Sequence, residues 1–175
     1  GAALFTARCS TCHQSDGVGV RGAIPPLAGS AFTAQGPELV STILLRGIDG
    51  PIRVGNYNFS GHMPSFASVL SNVELGELAT YVAHRFGKSS EKIEAAAVAM
   101  LRTEVADKGG FKGGAEIASS TGLSLGDQPP FEAKTSISLS PEVSAIIFKG
   151  RGEQWACASC HGDLGQGKEN VPRLS

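Results

Sequence analysis

Long apolar runs are missing from this chain of 175 residues. None approaches the about 20 consecutive apolar residues that a membrane-crossing helix needs, and no signal-peptide pattern opens the chain. Aromatic side chains are scarce as well, at 6%, which leaves a core of ordinary size short of large fillers. An excess of one charge is also lacking. Fifteen Lys and Arg stand against 16 Asp and Glu, for a net charge of −1. That balance excludes the basic face nucleic acid requires, and it supplies no general field for steering a charged partner. What remains is ordinary: 41% hydrophobic and 18% charged residues, enough for one large or two small globular domains.

Cysteine is limited to four, and all four fall in two short runs. These are Cys9-Ser10-Thr11-Cys12-His13 and Cys157-Ala158-Ser159-Cys160-His161. No thiol is left over for a disulfide. A zinc site would need four ligands within reach, and a redox dithiol has no use for the trailing histidine. The Cys-x-x-Cys-His run is the attachment pattern of a c-type haem, with two thiols for the two vinyl groups and the histidine as axial ligand. Two runs therefore predict two covalently attached haems c, held by Cys9, Cys12 and His13 and by Cys157, Cys160 and His161. Large flat porphyrins would make good the shortage of aromatic filler.

Around the first run the sequence predicts three helices joined by long loops. Leu4, Phe5 and Arg8 have helical spacing ahead of Cys9. Gly36-Pro37 opens a helix through Leu45 that Gly47 closes. Ser71 and Glu74 have the spacing of a capping box, which begins a helix carrying Val73, Leu75, Leu78, Tyr81 and Val82, with Gly87 as its C-cap. Three such helices cannot bury a core alone, but they can wrap a haem. Between the second and third lies Gly61-His62-Met63-Pro64-Ser65-Phe66. Met63 is predicted as the distal iron ligand, since a thioether opposite histidine keeps the iron six-coordinate and Pro64 holds its backbone extended. His62 suits the surface or a haem propionate. Arg46 and Arg53 are candidates for the propionates, or plain exposed arginines. His84, beside Arg85, suits a solvated helix end.

With these residues in view, 1–88 resembles a class I cytochrome c domain of the kind found in the multihaem cytochrome subunits of bacterial periplasmic dehydrogenases, such as membrane-bound alcohol dehydrogenase. The matching stretches are Gly1 to Phe5, Cys9 to His13, Pro25 to Gly29, Gly61 to Phe66 and Leu78 to Val82. The resemblance implies that Gly1 and Phe5 cross the last helix near Tyr81. It also implies that the Pro25 carbonyl accepts the Nδ1 proton of His13, fixing the ring's tautomer.

Residues 89–140 carry no haem pattern. Glu91 to Lys108 predicts an amphipathic helix with Ile93, Ala97, Met100, Leu101 and Val105 on its apolar stripe, so Met100 is expected in the core. That helix would pack on the first domain or dock a partner. Residues 109–140, rich in Gly, Ser, Thr and Pro, read as a linker or irregular wrap, and Ser140-Pro141 opens another helix. Residues 141–175 resemble the front of a second cytochrome c domain of the dihaem c4 kind, with Pro172 and Leu174 placed as Pro25 and Leu27 are in the first. The offset of about 148 residues points to duplication. The chain stops before that domain's distal ligand, and Met100 is the only other methionine. The abrupt start at Gly1 and the stop at Ser175 suggest a removed leader and further sequence beyond.

The expectation is an all-α protein: domain 1–88 with haem 1, a helix and linker over 89–140, and an incomplete second domain over 141–175 with haem 2. Its expected function is to carry electrons in the periplasm from a dehydrogenase to a quinone or terminal oxidase chain, with a redox partner protein and no catalysis of its own. The competing reading is a dihaem enzyme, such as a cytochrome c peroxidase or thiosulfate-oxidising cytochrome, which needs an open distal position at one iron.

Overall fold

A computed structural model describes residues 1–55 and 57–123, all within the first of two units of the chain, Gly1–Phe131. The run with Cys157, Cys160 and His161, the repeat residues Pro172 and Leu174, and the helix expected after Ser140 lie outside the described residues.

Helix α1 (Ala2–Arg8) runs into the single turn α2 (Ser10–His13). It lies across α5 (Asn72–Gly87) so closely that a Cβ on Gly1 would sit 2.4 Å from the Glu77 carbonyl oxygen. Phe5 meets the rings of Tyr81 and Phe86 there, with centroids 5.6 and 5.1 Å away. The crossing implied by the resemblance is thus where the structure has it. The α5 capping box is complete: the Ser71 hydroxyl accepts from Glu74 N, and Glu74 accepts from Ser71 N. Its buried face is Leu75, Leu78 and Val82, whereas Val73 is exposed. The C-cap is Lys88, at φ 60°, rather than Gly87. Gly87 is needed for a different reason: a Cβ there would fall 2.1 Å from the carbonyl oxygen of Thr33, at α3 (Ala31–Ala34). Helix α4 (Pro37–Arg46) starts at Pro37 after Gly36 and is closed by Gly47, as its sequence signals predict.

The all-α expectation is corrected over residues 48–63. These form an antiparallel hairpin, β1 (Ile48–Val54) and β2 (Tyr57–Met63), in register from Ile48↔Met63 to Val54↔Tyr57. Inward and outward positions alternate along β1, the period a half-buried strand requires. Pro51 is tolerated because a two-stranded ribbon consists only of edge strands. The hairpin makes Met63 the last residue of a strand, not part of an irregular stretch.

Beyond residue 88 the chain packs back on these elements. Helix α6 (Ala95–Glu104) is shorter than the 91–108 predicted, and it lies on α4 and α5 with Val98 fully buried. The expectation of a core Met100 is overturned: its side chain is 75% exposed. The inward face is centred on Val98, and Met100, two residues on, projects from the opposite side. Phe111 then pairs with the start of β1, donating to Gly47 O at 3.0 Å while its carbonyl accepts from Asp49 N at 2.7 Å. A further helix, α7 (Gly114–Thr121), stands where the sequence predicts linker, with Ile117 fully buried.

The buried residues fall into two clusters. One gathers Phe5, Leu44, Leu75, Leu78, Val82 and Phe86 from α1, α4 and α5. The other gathers Phe32, Ile43, Val54, Phe59, Phe111 and Ile117 from α3, α4, the hairpin and the later chain. Met63 packs against both.

Candidate functional site

The single turn of α2 brings Cys9, Cys12 and His13 together. The Cys9 carbonyl accepts from Cys12 N at 3.1 Å and from His13 N at 2.8 Å. Cys9 is buried and Cys12 exposed. Burial, with the neighbouring Cys12 adding, pushes the Cys9 thiol up to about 11. A thiol so reluctant to ionise is a poor member of a redox dithiol pair, whose attacking group works as thiolate.

After His13 the loop of residues 14–28 rolls back on itself. Gly19 N donates to the His13 carbonyl at 3.0 Å, and the Gly17 carbonyl accepts from Leu27 N at 2.7 Å. Gly19 lies so near the returning strand that a Cβ would stand 2.7 Å from the Pro25 carbonyl oxygen. This close packing sets that oxygen 3.0 Å from His13 Nδ1. A carbonyl only accepts, so Nδ1 carries the proton and Nε2 keeps its lone pair for a metal. Burial lowers the histidine's pKa, and the Pro25 bond opposes this only in part. The neutral imidazole a metal ligand must present is therefore favoured.

Cys9, Cys12, His13 and Pro25 share the walls of one cavity with Met63, Ile52, Phe59 and Phe66. It spans about 840 Å³, counting space open to solvent. A second cavity of about 640 Å³, likewise partly open to solvent, adjoins it between the two core clusters, past Leu27, Phe32, Val40 and Val82. Cys9, His13, Pro25, Ile48, Ile52 and Met63 belong to both. This space suits a flat, largely apolar macrocycle tied at one side by two thiols. The residues present fit a haem c: paired cysteines, a neutral histidine, a thioether and apolar side chains line the space together.

Two residues to which sequence reasoning gave no role of their own, Ser65 and Phe66, help place Met63. Ser65 Oγ donates to the Leu45 carbonyl at 2.5 Å, and Phe66 N donates to the Leu44 carbonyl at 2.8 Å. The last carbonyls of a helix have no partner within it, and here the segment after Met63 supplies partners for the end of α4. A serine two residues after the methionine was the available signal, but nothing in the sequence says which helix end it meets.

Other candidates are used differently. Arg46 is not held for a propionate: it pairs with Glu116 at 2.6 Å, donates to the Gly109 carbonyl at 2.9 Å, and lies 3.7 Å over the Phe111 ring. Arg53 Nε donates to the Gly55 carbonyl at 3.0 Å. His62, at the cavity rim, pairs across the hairpin with Asp49. The exposed His84 donates from Nε2 to the Glu91 carbonyl at 2.7 Å. Among the described residues no helix is long and apolar enough to cross a membrane.

Comparison with known proteins agrees in kind. Residues 1–82 match the family model described as cytochrome c oxidase, cbb3-type, subunit III. A cytochrome c-552 of Thermus thermophilus is 36% identical over 95 residues, covering 52% of this chain and 71% of that protein. A cytochrome c6 of Leptolyngbya boryana is 33% identical over 82 residues, 47% of this chain and 85% of its own length. The fructose dehydrogenase cytochrome subunit of Gluconobacter japonicus is 34% identical over 109 residues, 58% of this chain but only 22% of the subunit.

Proposed function

The chain belongs to the class I c-type cytochromes, and from that premise we propose that it is a periplasmic dihaem electron carrier serving a dehydrogenase. Its electrons would pass on to a quinone or terminal oxidase chain. The observation that carries the reading is one cavity lined together by Cys9, Cys12, His13 and Met63. When bound, a haem c supplies a one-electron iron couple whose potential a thioether opposite histidine raises.

This chain's residues do the rest. Cys9 and Cys12 anchor the group. His13, held by the Pro25 carbonyl in the tautomer that leaves Nε2 free, would offer that nitrogen to the iron. Met63 would supply a thioether ligand and leave no site for substrate, and the apolar walls would keep water from the metal. Transfer then needs no bond-making, which suits a carrier rather than an enzyme. The second haem rests on Cys157, Cys160 and His161, with Pro172 and Leu174 repeating the spacing of Pro25 and Leu27. A dehydrogenase as donor is supported by the likeness to a subunit named for one, and the periplasm by covalent haem attachment outside the cytoplasm.

Haem counting tests the assignment. Two haems per chain are expected for the parent protein and one for Cys157→Ala/Cys160→Ala. Met63→Ala should lose the thioether-to-iron charge-transfer band of the oxidised protein and fall in midpoint potential by on the order of 100 mV, a small part of the range axial ligands span. A parent chain without haem, or a Met63→Ala variant with unchanged band and potential, would refute it.

A further inference from the structure

Arg102 leaves α6 from the same face as the fully buried Val98, one helical turn earlier. Its guanidinium spreads over three acceptors. Nε donates to Asn72 Oδ1 at 2.7 Å, Nη2 to the Leu70 carbonyl at 2.9 Å, and Nη1 to the Ala67 carbonyl. All three are neutral oxygens: two lie on the turn joining Met63 to α5 and the third on the first residue of α5. The rigid planar fork of arginine can hold three such points at once; an ammonium cannot.

The near end of that segment is fixed by Ser65 and Phe66 on the last carbonyls of α4. Arg102 fixes its far end. A methionine at the end of a strand, followed by a segment gripped at both ends, has little room to withdraw its sulfur. Arg102 also lies beyond residues 1–82, the stretch that matches the family model. The clamp is therefore supplied from outside the stretch that the family model matches.

We propose that Arg102 is a positioning residue for the Met63 thioether, clamping the 67–72 turn so that the sulfur stays on the haem iron and competing ligands are kept off. The proposal rests on the reading of Met63 as the distal ligand. It assigns α6 a role in ligand retention beyond covering the core.

The test titrates the oxidised, haem-loaded full chain with imidazole and follows the thioether-to-iron band. The second haem motif is common to parent and variants, so differences between them report on the first site. Arg102→Gln should bind imidazole at least about tenfold more tightly, the scale set by losing a charge-assisted hydrogen bond. Arg102→Lys, which can reach one carbonyl, should fall between parent and Arg102→Gln. Val98→Ala loosens α6 without touching the clamp, and should lose thermal stability while keeping parental imidazole affinity.

A folded Arg102→Gln with parental affinity overturns the proposal. So does a Val98→Ala that matches its effect, because that would make the arginine mere glue for α6. Should Arg102→Gln fail to fold, Asn72→Ala removes one acceptor and should still tighten imidazole severalfold; unchanged affinity there counts against the clamp. A parent protein with no thioether band removes Met63 as ligand, and the clamp with it, so failure of the underlying reading is visible before any variant is made.

Discussion

Gln14 directly follows His13 and holds φ 62°, ψ 163°, a region that belongs almost entirely to glycine. The second haem motif has Gly162 in the corresponding place after His161. Strain of this kind costs about 1–3 kcal/mol, whereas the extra freedom glycine brings to the unfolded chain costs about 0.5–1 kcal/mol. Gln14→Gly should therefore stabilise the haem-loaded protein by roughly 1 kcal/mol, read as a raised melting temperature with an unchanged spectrum. A lower melting temperature would show that the Gln14 side chain contributes more than its backbone costs. Met100, 75% exposed, gives the contrasting case: Met100→Leu should shift stability by no more than about 0.5 kcal/mol and leave the thioether band intact. At this scale the sequence is legible where covalent chemistry dictates spacing, as from Cys9 to His13. It is not legible where a contact crosses a loop. The His13–Pro25 bond came through family resemblance, and the Ser65 and Arg102 bonds through neither motif nor resemblance. Met100 was misplaced because, two residues on from Val98, it points away from the core, whereas Ile93, Leu101 and Val105 of the same predicted stripe do pack against it.

Among the elements, α4 and α5 were readable because their ends carry local signals, Gly36-Pro37 and Gly47 for one and the Ser71–Glu74 box for the other. The hairpin was harder. Gly55-Asn56 between two alternating runs is itself a hairpin signal, but Gly50, Pro51 and Gly61 inside those runs look like breakers. Gly50 is explained only by its neighbour: a Cβ there would meet the Lys112 carbonyl oxygen at 2.5 Å. Gly87 makes the same point in a helix. Gly87→Ala would drive a methyl into the Thr33 carbonyl, so it should destabilise by about 1–3 kcal/mol in denaturant melts despite the better helix propensity of alanine. Helix α7 hangs on Glu116. The Lys112 amide first, and then Arg46, hold its carboxyl below the ordinary value of 4.5. A carboxyl with a lowered folded pKa contributes stability that is fully present above its ordinary value and lost as pH falls through the folded one. Amide exchange in α7 should therefore quicken as pH drops below about 4.5 relative to α5, after correction for intrinsic rates. Glu116→Gln should remove that dependence; α7 protection that stays parallel to α5 down to pH 3 would count against the anchor.

At the scale of the molecule, few aromatics, two separate core clusters and a cavity between them are one fact seen three ways. Phe5, Leu44 and Val82 belong to one cluster, Phe32, Ile43 and Val54 to the other, and all six face the inner cavity that divides them. A packed domain does not leave such a gap, because each cubic ångström of unfilled apolar space costs about 24 cal/mol and a small domain has only about 5–15 kcal/mol in reserve. Water can enter both parts of the space, but the largely apolar walls offer it few partners. The chain is thus built to be completed by an apolar body inserted between its halves, and the two thiols beside the opening ensure that the body stays. Local pairs such as the α5 capping box and the Phe111–β1 bonds do not depend on that body; the joining of the two clusters does. Chain produced without haem attachment should accordingly keep much of its helical far-ultraviolet dichroism while losing near-ultraviolet signal and a cooperative thermal transition. The haem-loaded chain should show both. A haem-free chain that melts cooperatively at the temperature of the loaded one would mean that the clusters close on each other unaided, and that the porphyrin is a passenger in this fold rather than the middle of its core.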